Sequence, residues 1–187
     1  TQLEQPIPAA KRGLEIARAA GVTTILNPAP AATLTDDILA LCDYVTPNES
    51  ETESLTGLPV TTVAEAEAAA DALLAKGVGA VIITLGDKGA LYRDSKRSVH
   101  VPVISAGAVV ETTGAGDAYI AGFLAARLNG ADVPKAMAAG HTCAAACCGQ
   151  GLQHCLGVPQ LGIGQARGGC CCQGEGCGGG GGGGGGG

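Results

Sequence analysis

Tryptophan is absent, phenylalanine occurs once and tyrosine three times, so aromatic residues make up only 2% of the 187. A core without large rings must be packed by Ala, Val, Leu and Ile, as helix-covered parallel sheets usually are, and this argues against an aromatic-rich all-β reader of nucleic acid. Positive charge is also short: 11 Lys and Arg stand against 17 Asp and Glu, giving a net charge of −6. No basic stripe is available to displace counterions from a phosphate backbone, so nucleic acid is not expected as a partner. No apolar run reaches the roughly 18 residues of a membrane span, and Thr1-Gln2-Leu3-Glu4 has neither the basic nor the apolar region of a secretory signal. These absences lead us to expect no membrane partner and a cytoplasmic location. With Thr1 in place of an initiator Met, the chain is also expected to begin inside a longer protein.

Charge and periodicity run out together towards the other end. After Gly140 the only charged residues are Arg167 and Glu175, ten of the 32 glycines form the run Gly178 to Gly187, and all but one of the nine cysteines follow His141. The sequence therefore divides into a globular part, 1–158, and a Cys/Gly-rich low-complexity tail, 159–187, expected to be disordered or artefactual. Cys143, Cys147 and Cys148 at i, i+4 and i+5 of an expected helix, and Cys170 to Cys172 with Cys177, could hold a soft metal. A C-x-x-C pair at zinc-finger spacing is missing and the cysteine number is odd, so a reading-frame origin for the tail is the stronger reading.

Within the globular part, hydrophobic spacing and punctuation alternate strand with helix. Helices are expected from Pro8 to Ala20, Thr35 to Leu41, Glu49 to Leu55, Thr62 to Lys76, Gly116 to Asn129 and Val133 to about Cys148. Thr62 with Glu65 three residues on forms a capping box, and Gly77 closes that helix. Strands are expected at Val22 to Leu26, Asp43 to Thr46, Ala80 to Leu85 and Val109 to Glu111, with a hairpin pairing Ala90 to Arg93 and Ser98 to Val101. The continuous run Ala80-Val81-Ile82-Ile83-Thr84-Leu85 suits a central strand covered on both faces. The expected class is α/β, a parallel-type sheet with helices on both faces.

Three segments could carry chemistry. Thr113-Gly114-Ala115-Gly116-Asp117 lies between strand and helix, where glycines admit a ligand close to the backbone and free N–H groups at a helix start favour an anion. Asp117 would repel that anion unless it has a separate task, such as taking the proton of an attacking hydroxyl; the plainer alternative is an acidic helix start. Asn48 and Glu51, sharing a helix face, could present an amide and a carboxylate to hydrated Mg²⁺, although a solvated acidic helix start is the stronger reading from these residues alone. Thr84-Leu85-Gly86-Asp87-Lys88-Gly89 ends a buried strand where open parallel sheets bind ligands, or is an ordinary turn. A P-loop is absent, and Tyr119 stands where a dinucleotide fingerprint needs Gly or Ala.

Together with Gln2-Leu3-Glu4 and Asn27-Pro28-Ala29-Pro30, the segments Thr46 to Glu51, Ile83 to Gly89 and Thr112 to Ala118 occur in the order and spacing of the ribokinase-like carbohydrate kinases. The resemblance covers about residues 1–158 and implies the C-terminal part of a ribokinase-like fold, incomplete at its N-terminus. It implies transfer of phosphate from ATP to a primary hydroxyl of a sugar, ribose to ribose 5-phosphate foremost, with another sugar or nucleoside, or a remnant that binds nucleotide without turnover, as alternatives. Asp117 matches the general base and contacts substrate, and Gly114, Ala115 and Gly116 match the anion hole. Asn48 and Glu51 match the pair governing Mg²⁺ and the nucleotide phosphates; Thr84, Leu85, Gly86, Asp87, Lys88 and Gly89 match the nucleotide-contacting loop, His141 the residue beside adenine, and Glu4 a sugar contact. A K⁺ site is implied around Glu111, Thr113, Cys147, Gly151 and Cys155, with Glu111 where the family usually has Asp and Cys155 where a hydroxyl residue is common. The family also implies pairing into a homodimer. Taken alone, His141 reads as a surface residue of a helix.

Overall fold

The computed structural model describes residues 1–103 and 112–150. Among the described residues, five strands form one sheet in chain order: β1 (Ile25–Leu26), β2 (Tyr44–Val45), β3 (Ala80–Thr84), β4 (Ala90–Asp94) and β5 (Ser98–Val101). β1, β2 and β3 are parallel, and β3, β4 and β5 are antiparallel. Helices α1 (Ile7–Ala19), α2 (Asp36–Leu39), α3 (Glu49–Thr56) and α4 (Val63–Ala75) precede β3, and α5 (Ala115–Leu128) and α6 (Val133–Gln150) follow β5.

Alternation along β3 divides the core in two. Val81 and Ile83 join Leu26, Val45 and Leu91 under Leu14, Leu55, Ala66, Ala70 and Leu73 from α1, α3 and α4. Ala80 and Ile82, on the opposite face, join Ala90 and Tyr92 against Tyr119, Phe123, Val133, Ala136 and Met137 from α5 and α6. Period-two side-chain direction therefore serves two helical layers from one continuous apolar run. Close helix contact in the second layer depends on glycine: a Cβ on Gly140 would come 2.9 Å from the Tyr119 carbonyl oxygen, and one on Gly122 would come 2.7 Å from Cys143 Sγ.

The caps explain where the helices start. Thr62 Oγ1 accepts from the Glu65 amide at 3.2 Å and Glu65 returns the bond to the Thr62 amide at 2.9 Å, the reciprocal arrangement expected for α4. The first strand is shorter than its β-branched sequence suggests. The Val22 amide bonds the Ala17 carbonyl, closing α1, and the Thr24 amide is captured by the Asp43 carboxylate at 2.8 Å. Thr24 Oγ1 donates to the Leu41 carbonyl and accepts from the Asp43 amide, so regular pairing starts only at Ile25. The expected strand at Val109 to Glu111 lies outside the described residues. Among the described residues, no helix is long and apolar enough to cross a membrane.

Candidate active site

The carboxyl ends of β1, β2 and β3 open towards the start of α5, the crevice position where parallel sheets take ligands. Backbone pairing brings the strand ends together: Asn48 forms an isolated parallel bridge with Thr84, whose amide bonds the Pro47 carbonyl at 3.0 Å. Glu49 then lies beside the next turn, because a Cβ on Gly86 would meet Glu49 Oε1 at 3.4 Å. On the other side of the crevice, an open hollow of about 810 Å³ is lined by Gln2, Glu4, Asn27, Asp117 and Ile120 among others. Gln2 Nε2 donates to Asp117 Oδ1 at 2.7 Å.

Asn48 and Glu51 form a second capping box. Asn48 Oδ1 accepts from the Glu51 amide at 2.9 Å, and Glu51 Oε2 accepts from the Asn48 amide at 2.9 Å. Asn48 Nδ2 also donates to Glu51 Oε1 at 3.1 Å. The reading of a solvated acidic helix start is corrected here, since Glu51 is only 7% exposed. Burial pushes its carboxyl above the ordinary value, the Asn48 amide draws it back, and the negative charge of Asp117 raises it further. Two carboxylates thus share one field across the crevice. Both Glu51 oxygens already accept a bond, so the pair suits a cation held through water, as Mg²⁺ is commonly held, better than one stripped to these side chains.

Gly114 sits at φ 78° as the N-cap of α5, a left-handed conformation that glycine takes without strain. The Ala115 amide turns back to the Thr112 carbonyl at 3.1 Å, whereas the Gly116 and Asp117 amides have no partner among the described residues. Open space lies over Gly116, where an added Cβ would meet nothing within 4 Å. These are the features of an anion-accepting helix start, and Asp117 is exposed beside them.

The segment after β3 becomes a 3₁₀ turn, Gly86–Lys88, closed by the Leu85 amide donating to the Gly89 carbonyl at 2.8 Å. Asp87 and Lys88 are exposed on it, and the Lys88 carbonyl is held 2.7 Å from His100 Nε2. His141 is not on the surface, contrary to its reading in isolation: it is 5% exposed and meets the Tyr119 ring edge-on at 5.1 Å. Burial pushes its imidazole below the ordinary value, an effect opposed by the Met137 and Gly89 backbone and reinforced by His100. Among the described residues, neither ring nitrogen, nor the Tyr119 hydroxyl, has a partner at full hydrogen-bond geometry.

Thr113 and Cys147 lie together, with the buried Cys147 thiol 3.7 Å from the Thr113 carbonyl. Glu111, Gly151 and Cys155, the other members of the expected K⁺ site, lie outside the described residues. Among the described residues, no three His, Cys, Asp or Glu side chains gather to hold a metal ion. The contact between Gln2 and Asp117 spans 115 positions and leaves no local pattern in the sequence. The Asn48–Glu51 box has a local signal in Asn-x-x-Glu before a helix.

Residues 2–156 match the pattern described as the pfkB family carbohydrate kinase. A ribokinase of Staphylococcus aureus is 44% identical over 128 residues, covering 68% of this chain and 41% of the relative. A deoxyribokinase of Salmonella typhimurium is 42% identical over 137 residues, covering 73% and 44%. The structure of Arabidopsis thaliana ribokinase with ribose and ATP superposes with a TM-score of 0.76 at 29% identity, over 79% of this chain and 48% of that one. The ribokinase of Thermotoga maritima superposes with a TM-score of 0.67 at 36% identity, over 77% and 47%. The chain thus spans less than half the length of these relatives.

Proposed function

The chain belongs to the pfkB family of carbohydrate kinases, and from that premise we propose that it supplies the base, the anion-accepting turn and the nucleotide side of an enzyme that phosphorylates a primary hydroxyl of a pentose, ribose foremost. The observation that carries this is the place of Asp117: an exposed carboxylate at the start of α5, in the same hollow as Glu4 and Asn27 and within the field of Glu51. The similarity to a ribokinase and a deoxyribokinase supports a five-carbon acceptor.

In this reading Asp117 accepts the hydroxyl proton as the sugar oxygen bonds to the γ-phosphorus of ATP, and the bond from that phosphorus to the β-γ bridging oxygen breaks to release ADP. The Gly116 and Asp117 amides take the charge gathering on the transferring group, where positioning and electrostatics do most of the work. Mg²⁺, when bound, neutralises phosphate charge, and Asn48 and Glu51 would hold it through water. Thr84 to Gly89 and His141 border the nucleotide, Glu4 contacts the sugar, and Thr113 with Cys147 belongs to a K⁺ site completed by Glu111, Gly151 and Cys155.

The test is sugar phosphate formation from ribose and 2-deoxyribose with ATP, Mg²⁺ and K⁺. It uses the chain itself and a version extended at its N-terminus with the corresponding residues of a relative. The extended version is expected to turn over, and Asp117→Asn to lose about 10²-fold or more in kcat with ATP affinity within a few-fold. Turnover retained by Asp117→Asn would remove the proposed mechanism.

A further inference from the structure

Gln2 Nε2 donates to Asp117 Oδ1 at 2.7 Å. The backbone on either side of Gln2 is pinned: the Thr1 backbone nitrogen donates to the Ile25 carbonyl at 2.8 Å, the Asn27 amide to the Thr1 carbonyl at 2.9 Å, and the Leu3 amide to the Ala29 carbonyl at 2.8 Å. Leu3 is buried in the core, and its neighbours Gln2 and Glu4 both line the hollow. Gln2 therefore reaches Asp117 from a fixed base.

We infer that Gln2 is a positioning residue for the base. This inference rests on the proposed role of Asp117. A carboxylate at an exposed helix start can rotate about χ2, and either oxygen can face the incoming hydroxyl. The Gln2 amide engages Oδ1 and holds the plane of the carboxylate. Oδ2, with no partner among the described residues, is left to receive the proton. A neutral amide donor suits this task because it orients the base without giving it a proton. The bond to an ionised acceptor is also stronger than one between neutral groups.

The first test needs no turnover. In the ¹⁵N-labelled chain, the side-chain amide pair of Gln2, identified by its loss in Gln2→Glu, is expected to move in Asp117→Asn; an unmoved pair would show that the contact does not exist in solution. The second test reads kinetics in the extended version. Gln2→Ala is expected to lower kcat about 10- to 100-fold with KM for ATP unchanged. Gln2→Glu is expected to retain activity at low pH, where a protonated Glu donates as Gln does, and to lose it as pH rises and two carboxylates face each other; the parent lacks this extra alkaline limb. A merely structural role would not produce that limb. If Asp117→Asn abolishes turnover while both Gln2 variants match the parent, the inference fails and the proposed function stands. If Asp117→Asn leaves turnover intact, the proposed function itself fails. A Gln2→Ala variant faster than the parent would show a latch in place of a positioning contact and overturn the inference.

Discussion

Asn48 and Glu51 satisfy each other at the start of α3: each side chain accepts the other's backbone amide at 2.9 Å, and Glu51 is held under Asp117's field by that exchange. The same two residues fix a helix terminus and shape the charge of the crevice.

Asn48→Ala is therefore expected to cost more than a surface cap. The lost cap costs about 1 kcal/mol, and a buried carboxylate left with fewer donors brings the total towards roughly 2 kcal/mol. At roughly 2–4 °C per kcal/mol for a chain of this size, thermal unfolding should fall by about 4–8 °C. Thr62→Ala removes the corresponding cap of α4, remote from the crevice, and should lower stability without changing nucleotide binding. Calorimetry paired with ATP titration separates the two variants.

The raised Glu51 carboxyl fixes the sign of a pH effect. The fold binds its proton more tightly than the unfolded chain does, so this contribution is fully present below the ordinary value of 4.5 and is lost as pH rises through the folded value. Glu51→Gln lacks the titration. Its stability relative to the parent, read as urea midpoints from pH 4 to pH 7, should therefore increase with pH. A constant difference would show that Glu51 titrates alike in both states.

His141 acts in the opposite direction. Its folded value lies below the ordinary 6.5, so its contribution is present above that pH and is lost as pH falls through the folded value. His141→Phe should remove that part of the acid sensitivity. Equal slopes of stability against pH for parent and variant would contradict it.

Tyr119→Phe is expected to stabilise. The hydroxyl is buried without a hydrogen-bond partner among the described residues, and removing an unsatisfied buried group recovers desolvation cost, here about 1 kcal/mol. A lower urea midpoint for the variant would show that the hydroxyl is satisfied in solution.

Gly140→Ala should do the reverse. Its Cβ would lie 2.9 Å from the Tyr119 carbonyl oxygen, and main chain on a packed helix cannot swing aside as a side-chain tip can. A loss of about 1–3 kcal/mol is expected, with Asp117 displaced as α5 shifts. Unchanged stability and chemical shifts in α5 would refute it.

Local chemistry made much of the fold legible. The run from Ala80 to Thr84 announced its strand because both faces are covered, and Thr62 with Glu65 announced α4 because a cap needs only four residues. The hairpin of β4 and β5 and the glycine entry to α5 were visible for the same reason. What failed was what depends on distant partners. Thr24 is β-branched and reads as strand, yet Asp43 takes its amide. His141 reads as exposed on a helix, yet Tyr119 from the neighbouring helix packs against its ring and it is buried. Asp117 was conspicuous among its glycines, but the amide that grips it enters from the far end of the chain.

Glu51 belongs to the helical layer packed on Val81 and Ile83, and Asp117 to the layer packed on Ala80 and Ile82. Whatever occupies the space between them touches both halves of the core at once. By linkage, such a ligand raises the free energy of opening either half. Deuterium uptake should then slow at Leu73 and at Met137 together, on opposite sides of the sheet and remote from the crevice, whereas a ligand gripped by one layer alone would slow only the nearer of the two.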